Sequence, residues 1–218
     1  MSNKTIASSS KNRSSSEISN RDNILRVALL EFAEKGVSGV RVEHLAKAAQ
    51  TNIRMIYHYF KSKEQLYVEV LEYTVNELRR SELQLNLDIG TIDPIQGILK
   101  LYDFTEEHFS THRELFRILQ FENLNNAENI QKSSAIPLIS SHLLHYIEIL
   151  LHRGVEMGLI KQGIDPLHLY TMIVSLIVFP KSNALTMSFM FKTDLVDGNW
   201  QQQHKNMCRE MLESFIKA

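Results

Sequence analysis

Cysteine is almost missing: Cys208 stands alone among 218 residues. One thiol cannot close an internal disulfide, so no covalent framework shapes the chain, and a reducing compartment such as the cytosol suits it. Taken alone, Cys208 reads as a small buried apolar side chain. Proline occurs four times and glycine eight. Alternating β-branched runs are also few, which argues against a sandwich or barrel and for an all-α protein. The longest apolar run, Met172 to Phe179, is interrupted by Ser175. It falls far short of the ~20 residues a membrane span needs. The polar N-terminus lacks the apolar core of a signal peptide, so no membrane partner is expected. His-Glu-x-x-His, Gly-x-Ser-x-Gly, a glycine-rich phosphate loop and Cys-x-x-Cys are all absent. Nine histidines still invite a metal search. His145, Glu148 and His152 fall within ~60° of one another on one helix, but Leu143, Leu144, Ile147 and Leu151 occupy its opposite face. The three polar groups therefore face water. No catalytic residue, metal or cofactor is expected, and a helical metalloenzyme is the remote alternative.

What is present is apolar mass and an uneven charge. Hydrophobic residues make up 44%, ample for a core. The net charge of −1 conceals a division: residues 1–63 hold eleven Lys and Arg against five Asp and Glu, the remainder thirteen against twenty. A basic head on an acidic body is the footprint of a protein that touches phosphates with one end. Residues 1–19 contain eight serines and read as a disordered tail.

Asn20 to Lys35 has helical spacing at Ile24, Val27, Ala28, Leu30 and Phe32, and Gly36 closes it as a C′ glycine does. The stretch VEHLAKAAQTNIRMIYHYFKSKEQL, Val42 to Leu66, reads as two short helices and a tight turn running into a longer helix. Leu45, Ala46 and Ala49 pack inward. Gln50 and Thr51 form the break, and Asn52 is an N-cap type whose side-chain oxygen accepts a free N–H. Ile56 and Phe60, at i and i+4, mark the buried side of the second helix, leaving Arg54, Met55, Tyr57, His58 and Tyr59 for its other faces. A helix-turn-helix of this kind lays its second helix in the major groove. Arg54 can fork onto guanine and Met55 touch a thymine methyl. Tyr57, His58 and Lys63, with Arg41 and Thr51, suit phosphates.

The order Tyr57-x-x-Phe60-x-Ser62-Lys63-Glu64-x-Leu66, preceded by Gly39-x-Arg41-Val42-x-x-Leu45-Ala46-x-x-Ala49, resembles the DNA-binding domain of the TetR family. The resemblance covers roughly Asn20 to Arg79. It implies DNA contacts at the positions of Tyr57, His58 and Lys63. It also implies a symmetric homodimer, a small-molecule effector and a palindromic double-stranded operator. Gln50 stands where the family usually has glycine. If that backbone has positive φ, glutamine costs ~1 kcal/mol more than glycine there. Met55 replaces the usual polar residue. The stretches Leu115 to Leu124 and from Asp165 look similar to the branch holding pyrimidine- and nicotinate-catabolism regulators.

Beyond the head, residues 20–79, the chain divides into further helices over 80–218. One spans Ser62 to about Leu85 and links head to body. Others open at Asp93-Pro94 and at Asp165-Pro166, cap plus proline. Further helices are expected over His112 to Asn125, Ile136 to Met157 and Trp200 to Lys217, with Pro180 interrupting the one from Leu167. That helix is apolar over roughly 240° of its wheel, so it should bury two faces. Tyr170, Ile173, Val174 and Ile177, with Met207, Met211 and Phe215 of the last helix, are the candidate dimer seam. Two heads ~34–36 Å apart then read a palindrome. Phe104, His108, Phe116, Gln120, Phe121, Asn123, Tyr146, Tyr170, Phe179 and Asn183 are candidate walls of an effector pocket, mostly apolar with a few polar groups. The expectation is a ligand-responsive repressor. The alternative is a ligand-independent or activating regulator whose body only dimerises or recruits a protein.

Overall fold

In the computed structural model, residues 5–85, 87–138 and 141–218 are described, with side chains from Asn20 onward except Leu138. Regular structure among the described residues is helical, apart from one isolated antiparallel bridge between Ile160 and Lys217. The helices are α1 (Thr5–Gly39), α2 (Val42–Ala48), α3 (Ile53–Phe60), α4 (Lys63–Gln84), α5 (Pro94–Thr111), α6 (Arg113–Leu124), α7 (His142–Glu156), α8 (Pro166–Phe191) and α9 (Gly198–Ile216). The expected tail is helical in its backbone from Thr5, because extending an existing helix costs far less than nucleating one. Residues 1–4 of that tail lie outside the described residues.

The chain forms two compact units. The first takes in Met1–Leu78 and Glu114–Ile139. Its core is built from Ile24, Ala28 and Phe32 of α1, Leu45 of α2, Ile56 and Phe60 of α3, and Leu66, Tyr67, Val70 and Leu71 of α4. The Tyr67 ring meets Phe32 edge-on at 5.0 Å. Each such apolar side chain contributes about 1.5–3 kcal/mol on burial. Leu115 and Ile118 of α6 belong to the same core, with Ile130 and Ile136 packed against it, so α6 and the turn after it, expected in the body, pack with the head. Gly36, at φ 67, breaks α1 as the sequence indicates. A Cβ there would sit 3.1 Å from the Phe121 ring of α6. After α6, the buried Glu122 carboxylate accepts the N–H groups of Asn129 (2.6 Å) and Ile130 (2.7 Å). It thereby pins a turn in which Asn126 and Ala127 take positive φ.

The second unit takes in Arg79–Arg113 and Ser140–Ala218. Within it α5 packs on α7, α8 and α9. The approach of α5 to α7 is close enough that a Cβ on Gly97 would lie 2.6 Å from Leu150. Asp93 and Asp165 cap α5 and α8, accepting from Gln96 N (2.9 Å) and His168 N (2.8 Å). The helix expected from Ile136 starts instead at His142, with Ser141 as cap. Pro137 sits in a single 3-10 turn ahead of it. In the last turns of α4, Arg79 pairs with Glu82. The other Glu82 oxygen accepts His142 N at 3.0 Å, placing a buried anion at the positive end of α7.

Pro180 does not end α8, contrary to expectation: the helix runs 26 residues through it. Proline withholds an N–H from the Leu176 carbonyl one turn earlier, and just after it the Ser182 and Asn183 side chains donate to the Phe179 carbonyl at 3.1 and 2.9 Å. Unbroken, α8 is long and apolar enough to cross a membrane by length and composition, with mean hydropathy 1.3 over its best window. The two-faced reading accounts for this. Leu169, Ile173, Ile177 and Ala184 are buried in the unit's own core, while Met172, Phe179, Leu185, Phe189 and Met190 stand exposed.

Candidate nucleic-acid interface

Three helices set the angle of α3. Arg41 precedes α2 in extended conformation (φ −99, ψ 134) with its side chain exposed. Lys63 Nζ donates to the Val40 carbonyl at 3.3 Å. At the turn Gln50 has φ 52, so the conformation that favours glycine is present with glutamine in it. The Asn52 side chain accepts Met55 N at 2.9 Å, as its cap position requires. Behind α3, Ile56 and Phe60 are fully buried. Arg21 of α1 lies 5.2 Å from the centre of the Phe60 ring and pairs with Glu69 of α4.

Arg54, Tyr57 and His58 are exposed and Met55 is half-buried. The His58 ring meets the half-buried Tyr59 edge-on at 5.4 Å. Arg41 immediately precedes α2, and Thr51 and Asn52 immediately precede α3. The exposed cation Arg54, the Tyr57 hydroxyl and the His58 ring on the outer face of α3 are groups that can bind phosphates and reach a groove. Nearby on α1, Glu31 is held below the usual carboxylate range, first by its hydrogen bond from Lys35 and also by His44. Sequence reasoning missed Arg21 and Asn23 of α1, because their partners, Glu69 and Ala49, lie 48 and 26 residues away.

The remaining expectations divide. Of the candidate pocket walls, Phe116, Gln120, Phe121 and Asn123 belong to the first unit and the other six to the second, so neither unit assembles the set. Phe179 is exposed. Asn123 is exposed and spends its amide on the Leu119 carbonyl. Phe104 stacks on the buried His108 at 6.0 Å, and His108 on His112 at 4.6 Å. Burial, and secondarily His112, lowers the His108 pKa to about 4. A cleft of about 30 Å³ in the second unit is lined by Tyr102, Glu106, Pro180, Lys181, Trp200 and His204 among others, none of them an expected wall. On the candidate seam, Ile173 and Ile177 are buried within their own chain and cannot face a partner. Met207 and Met211 are exposed, Tyr170, Val174 and Phe215 half-buried, and Lys161 sits 3.8 Å over the Phe215 ring. His145 and Glu148 pair with each other at 3.6 Å, and His152 pairs with Glu156 at 3.4 Å, all exposed.

A helix-turn-helix with a cationic, aromatic outer face, on a chain that adds a second helical unit, points to a DNA-binding transcriptional regulator. Residues 24–70 match the model for bacterial regulatory proteins of the tetR family, and residues 94–212 match the tetracyclin repressor-like C-terminal domain. The chain belongs to the TetR family. It is 36% identical over 177 residues to the HTH-type transcriptional repressor NicS of Pseudomonas putida, covering 81% of this chain and 82% of that protein. It is 26% identical to the repressor SCO4008 of Streptomyces coelicolor, over 70% of this chain and 73% of that one. Among solved structures it shares its fold with the regulator SCO4942 of Streptomyces coelicolor (TM-score 0.63, 22% identity, 90% of this chain and 98% of that one). The hemolysin II regulator HlyIIR has the same fold (TM-score 0.57, 23% identity, 93% and 99%).

Proposed function

We propose that this protein is a cytoplasmic repressor that binds a palindromic operator as a homodimer and lets go when a small-molecule effector occupies its body. One observation carries the DNA half of this reading. The short helix α3 buries Ile56 and Phe60 completely and turns Arg54, Tyr57 and His58 outward. Eight residues cover few base pairs, so a second copy is needed for a usable site. The names of the two repressors it resembles support the sign of regulation.

The dimer seam consists of the outer faces of α8 and α9: Met172 and Phe179 on one, Met207 and Met211 on the other. Apolar side chains left 38–68% exposed on two adjacent helices gain by association. The effector reading draws support from Phe104, His108, Tyr146 and Tyr170, which remain candidate walls in the second unit. The cleft beside Trp200 has room for little more than water, about 30 Å³, whereas a more open cleft of about 300 Å³ in the same unit is lined by His152, Glu156, Lys161 and Pro166 among others. A hundredfold preference for the DNA-incompetent state amounts to ~2.7 kcal/mol of coupling.

Selection of duplexes from a random pool tests the central claim. The expected result is enrichment of an inverted repeat, bound by two chains per duplex in sedimentation. Indifference to all duplexes at low salt, or enrichment of a single unrepeated site bound by one chain, overturns it.

A further inference from the structure

Helix α1 reaches the turn of the helix-turn-helix through one side chain. Asn23 Nδ2 donates to the Ala49 carbonyl at 2.9 Å. Ala49 is the C-cap of α2, and the next residue, Gln50, has φ 52. Other carbonyls at this end of α2 are taken up by the backbone: Leu45 O by Ala49 N (2.9 Å), Ala46 O by Thr51 N (2.9 Å) and Lys47 O by Gln50 N (3.1 Å). The Ala49 carbonyl falls outside that ladder at the point where the chain changes direction, and α1 supplies its donor. On the other side of the Asn23 amide, Arg26 lies 3.5 Å from Oδ1, which orients Nδ2 toward Ala49.

We propose that Asn23 is a positioning residue for operator recognition: by holding the Ala49 carbonyl it fixes the direction in which α3 leaves the turn. Only Gln50, Thr51 and Asn52 separate Ala49 from Ile53, the first residue of α3. A rotation of the peptide after Ala49 is therefore passed to α3 with little slack. An eight-residue helix is ~12 Å long, so a tilt of ~5° displaces one end by ~1 Å. Forked hydrogen bonds to a base edge tolerate about half that, whereas long cationic side chains follow a phosphate over such a distance. Asn23 thus governs discrimination among sequences and leaves general affinity alone, although it touches no DNA.

The inference rests on the operator reading above, and its test separates the two. Affinities are measured for the duplex that the unmodified protein enriches and for a scrambled duplex, each across a salt series, with folding followed by circular dichroism. Asn23→Ala is expected to weaken the enriched duplex about tenfold, the value of roughly one hydrogen bond, with the scrambled duplex and its salt slope unchanged. Asn23→Asp guards against a variant that fails to fold. Its carboxylate pairs with Arg26 and keeps the volume, yet has no hydrogen for Ala49, so the same selective loss is expected. Equal losses on both duplexes, or undiminished discrimination in the two variants, overturn the positioning role alone. A parent protein that enriches no sequence overturns the operator reading and this inference with it.

Discussion

Gln50 and His108 show how a single side chain carries stability in this protein. A β-carbon at φ 52 crowds the adjacent backbone, at a cost of about 1 kcal/mol relative to glycine. Gln50→Gly is expected to raise the unfolding free energy by that much, read as a higher urea midpoint, and an unchanged or lowered midpoint shows that the turn is unstrained. His108 works through protons. Its folded pKa near 4 lies below the ordinary 6.5 because burial disfavours the cation. Between those values the unfolded chain takes up a proton that the folded chain refuses. The stability is therefore whole above about pH 6.5 and drains away as the pH falls toward 4, by at most about 3 kcal/mol. His108→Phe, beside Phe104 and Phe109, is expected to flatten the urea midpoint against pH across that window. A parent and variant with parallel profiles refute the assignment. The strain at Gln50 was visible in the sequence because it turns on one residue type in one place. The buried carboxylates Glu82 and Glu122 were not, since the backbone N–H groups they accept come from beyond their own helices, 60 residues on for Glu82 and seven for Glu122.

The recognition helix was readable from spacing, because burial at i and i+4 fixes which residues are left outside. The two kinds of contact proposed for it, to a base and to a phosphate, separate experimentally. Arg54→Ala removes a fork onto a base and is expected to relax preference at one base pair by ~1–3 kcal/mol. Lys63→Ala is expected to weaken every duplex alike and to flatten the salt dependence by about one counterion. A base-specific effect from Lys63, or a uniform one from Arg54, reverses the roles. Helix ends marked by caps, such as Asp93-Pro94 and Asp165-Pro166, were equally legible. Ends set by context were not. Pro180 sits inside α8 although it withholds an N–H from the Leu176 carbonyl one turn earlier, and α6 joins the head because Leu115 and Ile118 find their partners there. Neither fact has a local signature.

For the assembled molecule, the sequence showed that α8 has two apolar faces but not which face looks inward. A wheel treats Ile173 and Met172 as equals, and only the packing of α5 and α7 against α8 separates them. Ile173 and Ile177 are buried in their own unit, Met172 and Phe179 exposed. Substitutions on the two faces therefore have different consequences. Ile173→Glu buries an unpaired charge and is expected to cost several kcal/mol of folding stability whether or not a partner is present. Met207→Glu with Met211→Glu leaves each folded chain intact, since both side chains already meet solvent, and places like charges against each other across the twofold. Sedimentation is expected to show monomers with an unchanged helical circular dichroism spectrum. Operator binding then collapses toward that of a single head, because the second head no longer rides with the first. A dimer that survives the paired α9 substitutions removes α9 from the seam. A monomer that still holds the inverted repeat at full affinity removes the need for a seam at all.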